Sequence, residues 1–325
     1  MNVYQMEQET PNTALHRLGT STDSVLTAKE AIQATGLDWE IKLRDTHFLT
    51  PQGDYETVAN QFAVVRQDTQ EALGVVGSRY RVVQNRDAFQ FMDNIVDSGE
   101  AKYESAGELN GGKRIYIMMN IDKALKIEGD SILPYMLLVN SHDGSSSLQV
   151  MMMPVRLSCM NMIRYNMTKD YTNSIRISHT KSIDQKITEA RDALGIANRY
   201  FDAFSQDVNK LITQEIDNDN FWKVVKDIMP EPTWSKDFVG AEVTSYERKM
   251  ANRERQFGKI AKLWNLEANN NGANKWTALN AINSYELWEK PTGKTPAVKY
   301  ERQANAVLKE DSKLTSKARF ALEGV

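Results

Sequence analysis

The chain has 325 residues, 41% of them hydrophobic and 26% charged, which allows a large core and is incompatible with global disorder. Its 40 basic side chains stand against 43 acidic ones, so a uniformly basic nucleic-acid coat is excluded. One cysteine, Cys159, excludes an internal disulfide and a thiolate zinc cluster.

The charge is unevenly spread. Residues 1–60 carry 4 basic and 9 acidic side chains, and residues 241–325 carry 15 and 10. A polyanion would therefore meet local patches. No apolar run approaches the roughly 20 residues that span a bilayer, and the start, MNVYQMEQETPNT, lacks the pattern of a signal peptide. The expectation is a cytoplasmic protein with no membrane partner. At roughly 100–200 residues per domain, about two domains are expected.

In chain order, residues 1–25 are polar and read as a loose or partner-ordered arm, followed by a β-rich core over 26–181. Thr27 and Glu30 form a capping box ahead of a short helix, AKEAIQ, stopped at Gly36. LDWEIKL alternates as a strand, and TPQGDYE is turn chemistry. NQFAVVRQDTQEALGVV reads as a hairpin. RYRVV is expected to be a short strand, leading to a helix capped by Asn85, with Phe89, Met92 and Val96 on its apolar face and Gly99 at its end. An Asn-Gly-Gly turn then joins KYESAGEL to KRIYIMMNI. SILPYMLLVNS and SLQVMMMPVRL flank an HDGSSS turn, and their unbroken apolar character predicts strands covered on both faces.

Residues 182–325 are predicted to be helical. Ile183, Ile187, Ala190, Leu194, Ala197, Phe201, Phe204, Val208 and Leu211 recur at alternating spacings of four and three, the seam of a helix of about four heptads. Two uses of that seam are open: packing on its own domain, or association with a partner, with Ile187, Leu194, Phe201 and Val208 as the contact stripe of a homo-oligomer. Beyond it lie a short helix ending at Pro230, a charged helix over 241–262, an apolar-faced helix in WTALNAINSYELWEK, and one final helix over 297–322. The fold class is α+β: a β-rich N-terminal half with antiparallel hairpins, then a long helix and a helical C-terminal half.

Catalytic signals are weak. The histidines are His16, His47, His142 and His179, and no pair has metal-ligand spacing. His142, Asp143 and Gly144 read as residues that order a hairpin turn, so neither a metal nor a cofactor is expected. A hydrolytic role for His142, Asp143 and His179 is a lesser alternative. Cys159 is read as a small buried hydrophobe, not a nucleophile. Lys294 in PTGKTP lacks the remaining spacing of a phosphate loop.

Basic residues interleaved with aromatic and amide side chains are the stronger signal. Arg156, Asn161, Arg164, Tyr165, Lys169 and Arg176 form one such series. Arg79, Tyr80 and Arg81 form a second, and Lys113 with Arg114 a third. Guanidinium groups suit phosphates, and aromatic faces suit the unstacked bases of a single strand.

The segments LGVVGSRYRVVQNRDAF, YESAGELNGGKRIYIM, PYMLLVNSHDGSSSLQV, PVRLSCMN, ISHT, EARDAL and WTALNAINSYELW together resemble a phage/plasmid-like family, domain of unknown function 932. One departure is Met162, where the family more often carries Thr, which removes a hydroxyl-dependent role there. The resemblance implies a mobile-element protein expressed in a bacterial host and travelling with recombination genes. It implies in turn a non-enzymatic, oligomeric protein that binds or anneals single-stranded DNA on a Rad52-like fold. The alternative reading is a phage interaction protein that inhibits or redirects a host factor.

Overall fold

The computed structural model describes residues 12–22, 27–96, 99, 101–123, 125, 127–163, 174–177, 183–290, 295–308 and 313–325. The strands are β1 (Thr20–Ser21), β2 (Ile41–Leu49), β3 (Tyr55–Arg66), β4 (Ala72–Gly77), β5 (Ala101–Leu109), β6 (Arg114–Ile121), β7 (Ile132–Ser141), β8 (Leu148–Arg156), β9 (Asn161–Met162) and β10 (Ser174–Ile177). The helices are α1 (Ala14–Leu18), α2 (Ala28–Ala34), α3 (Asn85–Val96), α4 (Ile183–Ile212), α5 (Asn218–Ile228), α6 (Ala241–Asn271), α7 (Lys275–Ser284), α8 (Pro296–Leu308) and α9 (Lys313–Ala321). The fold is α+β, with the strands ahead of the main helices.

Two compact units result. The first lies within Met1–Leu125, Ile132–Met160 and Met167–Asp202, and the second within Lys126–Ser131, Asn161–Asn166 and Ala203–Val325. The division between the units falls inside α4. No helix among the described residues is long and apolar enough to cross a membrane.

The larger sheet of the first unit is antiparallel, in the order β1-β5-β6-β7-β8-β10. β7 and β8 are buried on both faces, as their apolar runs predict. Asn110, Gly111 and Gly112 all take positive φ, which turns β5 back into β6. The smaller sheet runs β2-β3-β4, and most of it is exposed. α3 buries Phe89 and Met92.

Within the arm expected over residues 1–25, the described residues 12–22 hold a short helix and a strand. Thr13 and His16 form a capping box that starts α1, and Leu15 is fully buried. The Tyr116 hydroxyl donates to Leu15 O at 2.6 Å, and β1 pairs with β5. A Cβ on Gly107 would lie 2.8 Å from Gly19 Cα, so two glycines allow this close approach. Residues 79–83 contain no strand, in contrast to the RYRVV expectation.

The second unit is helical, and aromatic side chains hold it. Phe221 stacks on Trp264 at 4.3 Å, and Phe204 meets Trp276 edge-on at 6.1 Å. Two buried indole N–H groups of this unit are satisfied: Trp276 donates to Asp130 at 2.8 Å and Trp264 to Asn218 at 3.0 Å. A π-helical turn, Tyr285–Glu289, follows α7. The expected single helix over 297–322 is two, α8 and α9. Glu286 accepts from the backbone N–H groups of Leu314 and Thr315, at 3.2 and 2.9 Å, and so caps a new helix start.

Candidate nucleic-acid interface

Two of the three basic series meet at the end of the large sheet where β6 begins and β7 ends. Arg114 pairs with Ser141, and the His142 N–H donates to Lys113 O at 2.8 Å. Residues 77–80 turn back, with Tyr80 N–H donating to Gly77 O at 3.0 Å and the Tyr80 hydroxyl to Ser141 O at 3.2 Å. That docking brings Arg79 and Arg81 to the same sheet end as Lys113 and Arg114. Arg79, Arg81 and Lys113 are exposed, and Arg114 is half-buried. Burial pushes the Tyr80 phenol up, and the Asp143 charge adds to the rise.

Strand register places Arg176 on the same sheet face as Arg114. Arg114 opposes Ser141, Val139 opposes Gln149, and Gln149 opposes Arg176. Opposed residues share a face, and 139 and 141 are two apart. Three strand spacings, about 14 Å, separate β6 from β10. Arg176 is exposed on β10.

The turn between β7 and β8 is the scaffold under this group. Asp143 Oδ1 accepts from the Ser141 hydroxyl and from Ser145 N–H at 2.9 Å, while Arg114 Nη2 donates to Ser145 Oγ at 3.2 Å. Burial alone would raise the Asp143 carboxyl. The hydrogen bonds from Ser141 and Ser145 and the charge of Arg114 outweigh it and hold the group below the usual aspartate value. His142 is fully buried with Nε2 2.8 Å from Asn85 Oδ1. The Asn85 amide N–H donates to Leu37 O at 2.9 Å, which leaves Oδ1 as acceptor and assigns the proton to His142 Nε2. Asn85 therefore anchors the turn through its side chain, a role its reading as a helix cap did not include. Trp39 meets the imidazole edge-on at 5.3 Å, and Arg66 lies 4.2 Å over Trp39. Gly144 takes φ +76°, and a Cβ on Gly74 would lie 2.7 Å from Asp143 Cα, so β4 packs directly on the turn. Among the described residues no three His, Cys, Asp or Glu side chains converge as metal ligands.

The 156–176 series does not stay together. Arg156 lies at the far end of β8, opposite Ile132, and is 1% exposed. Its Nη1 is 3.7 Å from Cys159 Sγ. This corrects its reading as a phosphate ligand, because a guanidinium enclosed by the core presents no face to a strand of nucleic acid. Asn161 is corrected likewise: it is buried, its amide N–H donates to Ser284 Oγ at 2.8 Å, and its carbonyl accepts from Trp288 Nε1 at 2.8 Å. Asn161, Ser284 and Trp288 all lie in the second unit. Arg164, Tyr165, Lys169, His179 and Lys294 lie outside the described residues.

The oligomer stripe is corrected at two of its positions. Phe201 and Val208 are fully buried within the chain, where a partner cannot reach them. The side chains of Ile187 and Leu194 lie outside the described residues.

The model of the family described as Domain of unknown function (DUF932) matches residues 72–313. No curated protein and no solved structure matches the chain. The family match spans the HDGS turn, the basic sheet end and the bonded pair of segments around Asn161 and Trp288, and extends over well more than half of the sequence; the chain belongs to the DUF932 family.

Proposed function

We propose that the protein binds single-stranded DNA without catalysing a reaction, as a phage or mobile-element protein working in the cytoplasm of a bacterial host. The observation that carries this reading is the convergence of Arg79, Arg81, Lys113 and Arg114 on one sheet end, braced by the HDGS turn. Three exposed cations on a rigid support can follow a flexible phosphate backbone. The annealing role implied by the family resemblance needs such a support, because two strands must be held with their bases available for pairing.

The test is a salt titration of oligonucleotide binding. Each lost phosphate contact on a single strand removes about 0.7 from the slope of log K against log salt. Arg79→Gln with Arg81→Gln and Lys113→Gln should therefore flatten the slope by about two and leave the melting temperature unchanged. Wild-type protein that fails to bind an oligonucleotide at low salt sinks the proposal. An undiminished slope in the triple variant sinks this choice of residues. In the latter case the reading as an inhibitor of a host factor moves ahead.

A further inference from the structure

The described residues carry few large exposed hydrophobic side chains, and several of them fall in two places of opposite shape. One is a projection. The β2–β3 hairpin ends in a closed tip, with Thr50 N–H donating to Asp54 O at 2.8 Å and Gly53 N–H to Thr50 O at 3.0 Å. Phe48, Leu49 and Tyr55 at this tip are 49%, 61% and 75% exposed. Leu49 opposes Tyr55 on one face of the ribbon, and Phe48 opposes Glu56 on the other. A two-stranded ribbon open on both faces gains little from its own packing. Three adjoining apolar side chains at its end mark an interaction surface. Asp54 and Glu56 give the tip negative charge and make no ion pair among the described residues.

The other place is a cleft in the second unit. Thr233, Phe238, Ala241, Ser245, Tyr246 and Lys249 line a half-open cavity of about 320 Å³ between the 233–238 segment and the first turns of α6. Exposed Trp234 stands against Phe238 and Tyr246, at 5.5 and 4.8 Å, and exposed Val239 adds apolar surface. The cleft's own acid, Glu242, is turned onto Val239 N–H at 3.3 Å. Lys249 makes no ion pair among the described residues.

We infer that the hairpin tip of one copy of this chain seats in the α6 cleft of a second copy. The tip is apolar and flanked by acids, and the cleft is aromatic with an available lysine, so the two are matched in polarity and charge and one chain carries both. Two different patches make the contact heterologous, so copies add head to tail and close into a ring or continue as a filament. This inference is independent of the DNA-binding proposal. It also moves self-association away from the α4 seam, where Phe201 and Val208 are buried.

Light scattering and sedimentation on the full chain test it, with two variants. Phe48→Glu with Leu49→Glu spoils the tip, and Ala241→Arg with Lys249→Glu spoils the cleft. All four positions are exposed, so unchanged melting temperatures verify that both variants fold. Wild type should form assemblies of several copies at about 50 μM, and each variant alone should fall to the 36.9 kDa monomer. Mixed in equal amounts, the variants should form a heterodimer and nothing larger, because one intact tip and one intact cleft remain between them. Monomeric wild type overturns the inference and assigns the two surfaces to other molecules. Variants that assemble like wild type, or a mixture that stays monomeric, overturn it equally.

Discussion

Asp143 illustrates how one side chain can matter through its neighbours. It takes hydrogen bonds from Ser141 and Ser145 and faces Arg114, so it organises the turn beneath the exposed cations. Asp143→Ala should lower stability by roughly 1–3 kcal/mol, read by denaturant unfolding. Its folded-state pKa lies below the ordinary 3.8, so its contribution is full above that value and is lost as pH falls through the folded value. The wild-type advantage over the Ala variant should therefore shrink below about pH 4 and be constant from pH 5 to 8. A variant as stable as wild type at neutral pH would remove this role. Arg156 presents the opposite case. It is enclosed by the core, so Arg156→Gln should cost about 1.5–3 kcal/mol of stability and leave the salt slope of DNA binding unchanged. A reduced slope at an unchanged melting temperature would return Arg156 to the binding surface.

At the scale of elements, α1 was not legible in the sequence, and α4 was legible as a pattern but not in its use. The polar composition of residues 1–25 hides a capping box and one leucine that is fully buried. A five-residue helix is too short to hold itself, so its order comes from the sheet beneath it. Gly19→Ala would push a Cβ into the Tyr116 hydroxyl and the Ala106 carbonyl, neither of which can yield cheaply. We expect faster amide hydrogen exchange at Gly19, whose N–H bonds to Leu15 O, with little change at the β6–β7 ladder. Unaltered exchange would show that the segment tolerates the added methyl. For α4, an a/d seam is the same pattern whether it faces its own core or another chain. Phe201→Asp should unfold the protein or cost more than about 4 kcal/mol, since it deletes a buried ring and buries a charge. A stable, soluble variant with reduced assembly would restore the partner reading of the seam.

Across the whole molecule, the family match begins at residue 72, yet the first unit draws its core from earlier residues. Leu15, Leu37, Trp39, Ile41 and Val64 are all buried. At the other end Ala318 and Leu322, beyond the match, are fully buried in the second unit. A chain trimmed to residues 72–313 loses these contributions at both ends. It should therefore give an aggregated or molten product, without the cooperative melting of the full chain. Cooperative unfolding of the trimmed chain would show that the flanking segments are additions to a self-sufficient core.

The amino-acid sequence by itself determined the class and most of the elements, because helix and strand periods, capping boxes and glycine turns act over a few neighbouring residues. Thr27 with Glu30, the Asn-Gly-Gly turn, the apolar runs of β7 and β8 and the four-three spacing of α4 are all of this kind. What only the tertiary structure decided is which polar side chains face water. Arg156 and Arg79 have the same chemistry, but one is closed in by the core and the other stands on an exposed turn. Asn161 looked like a phosphate ligand until Ser284 and Trp288, more than a hundred positions later, occupied both ends of its amide. Burial and long-range pairing depend on contacts between distant segments, and no local spacing records them.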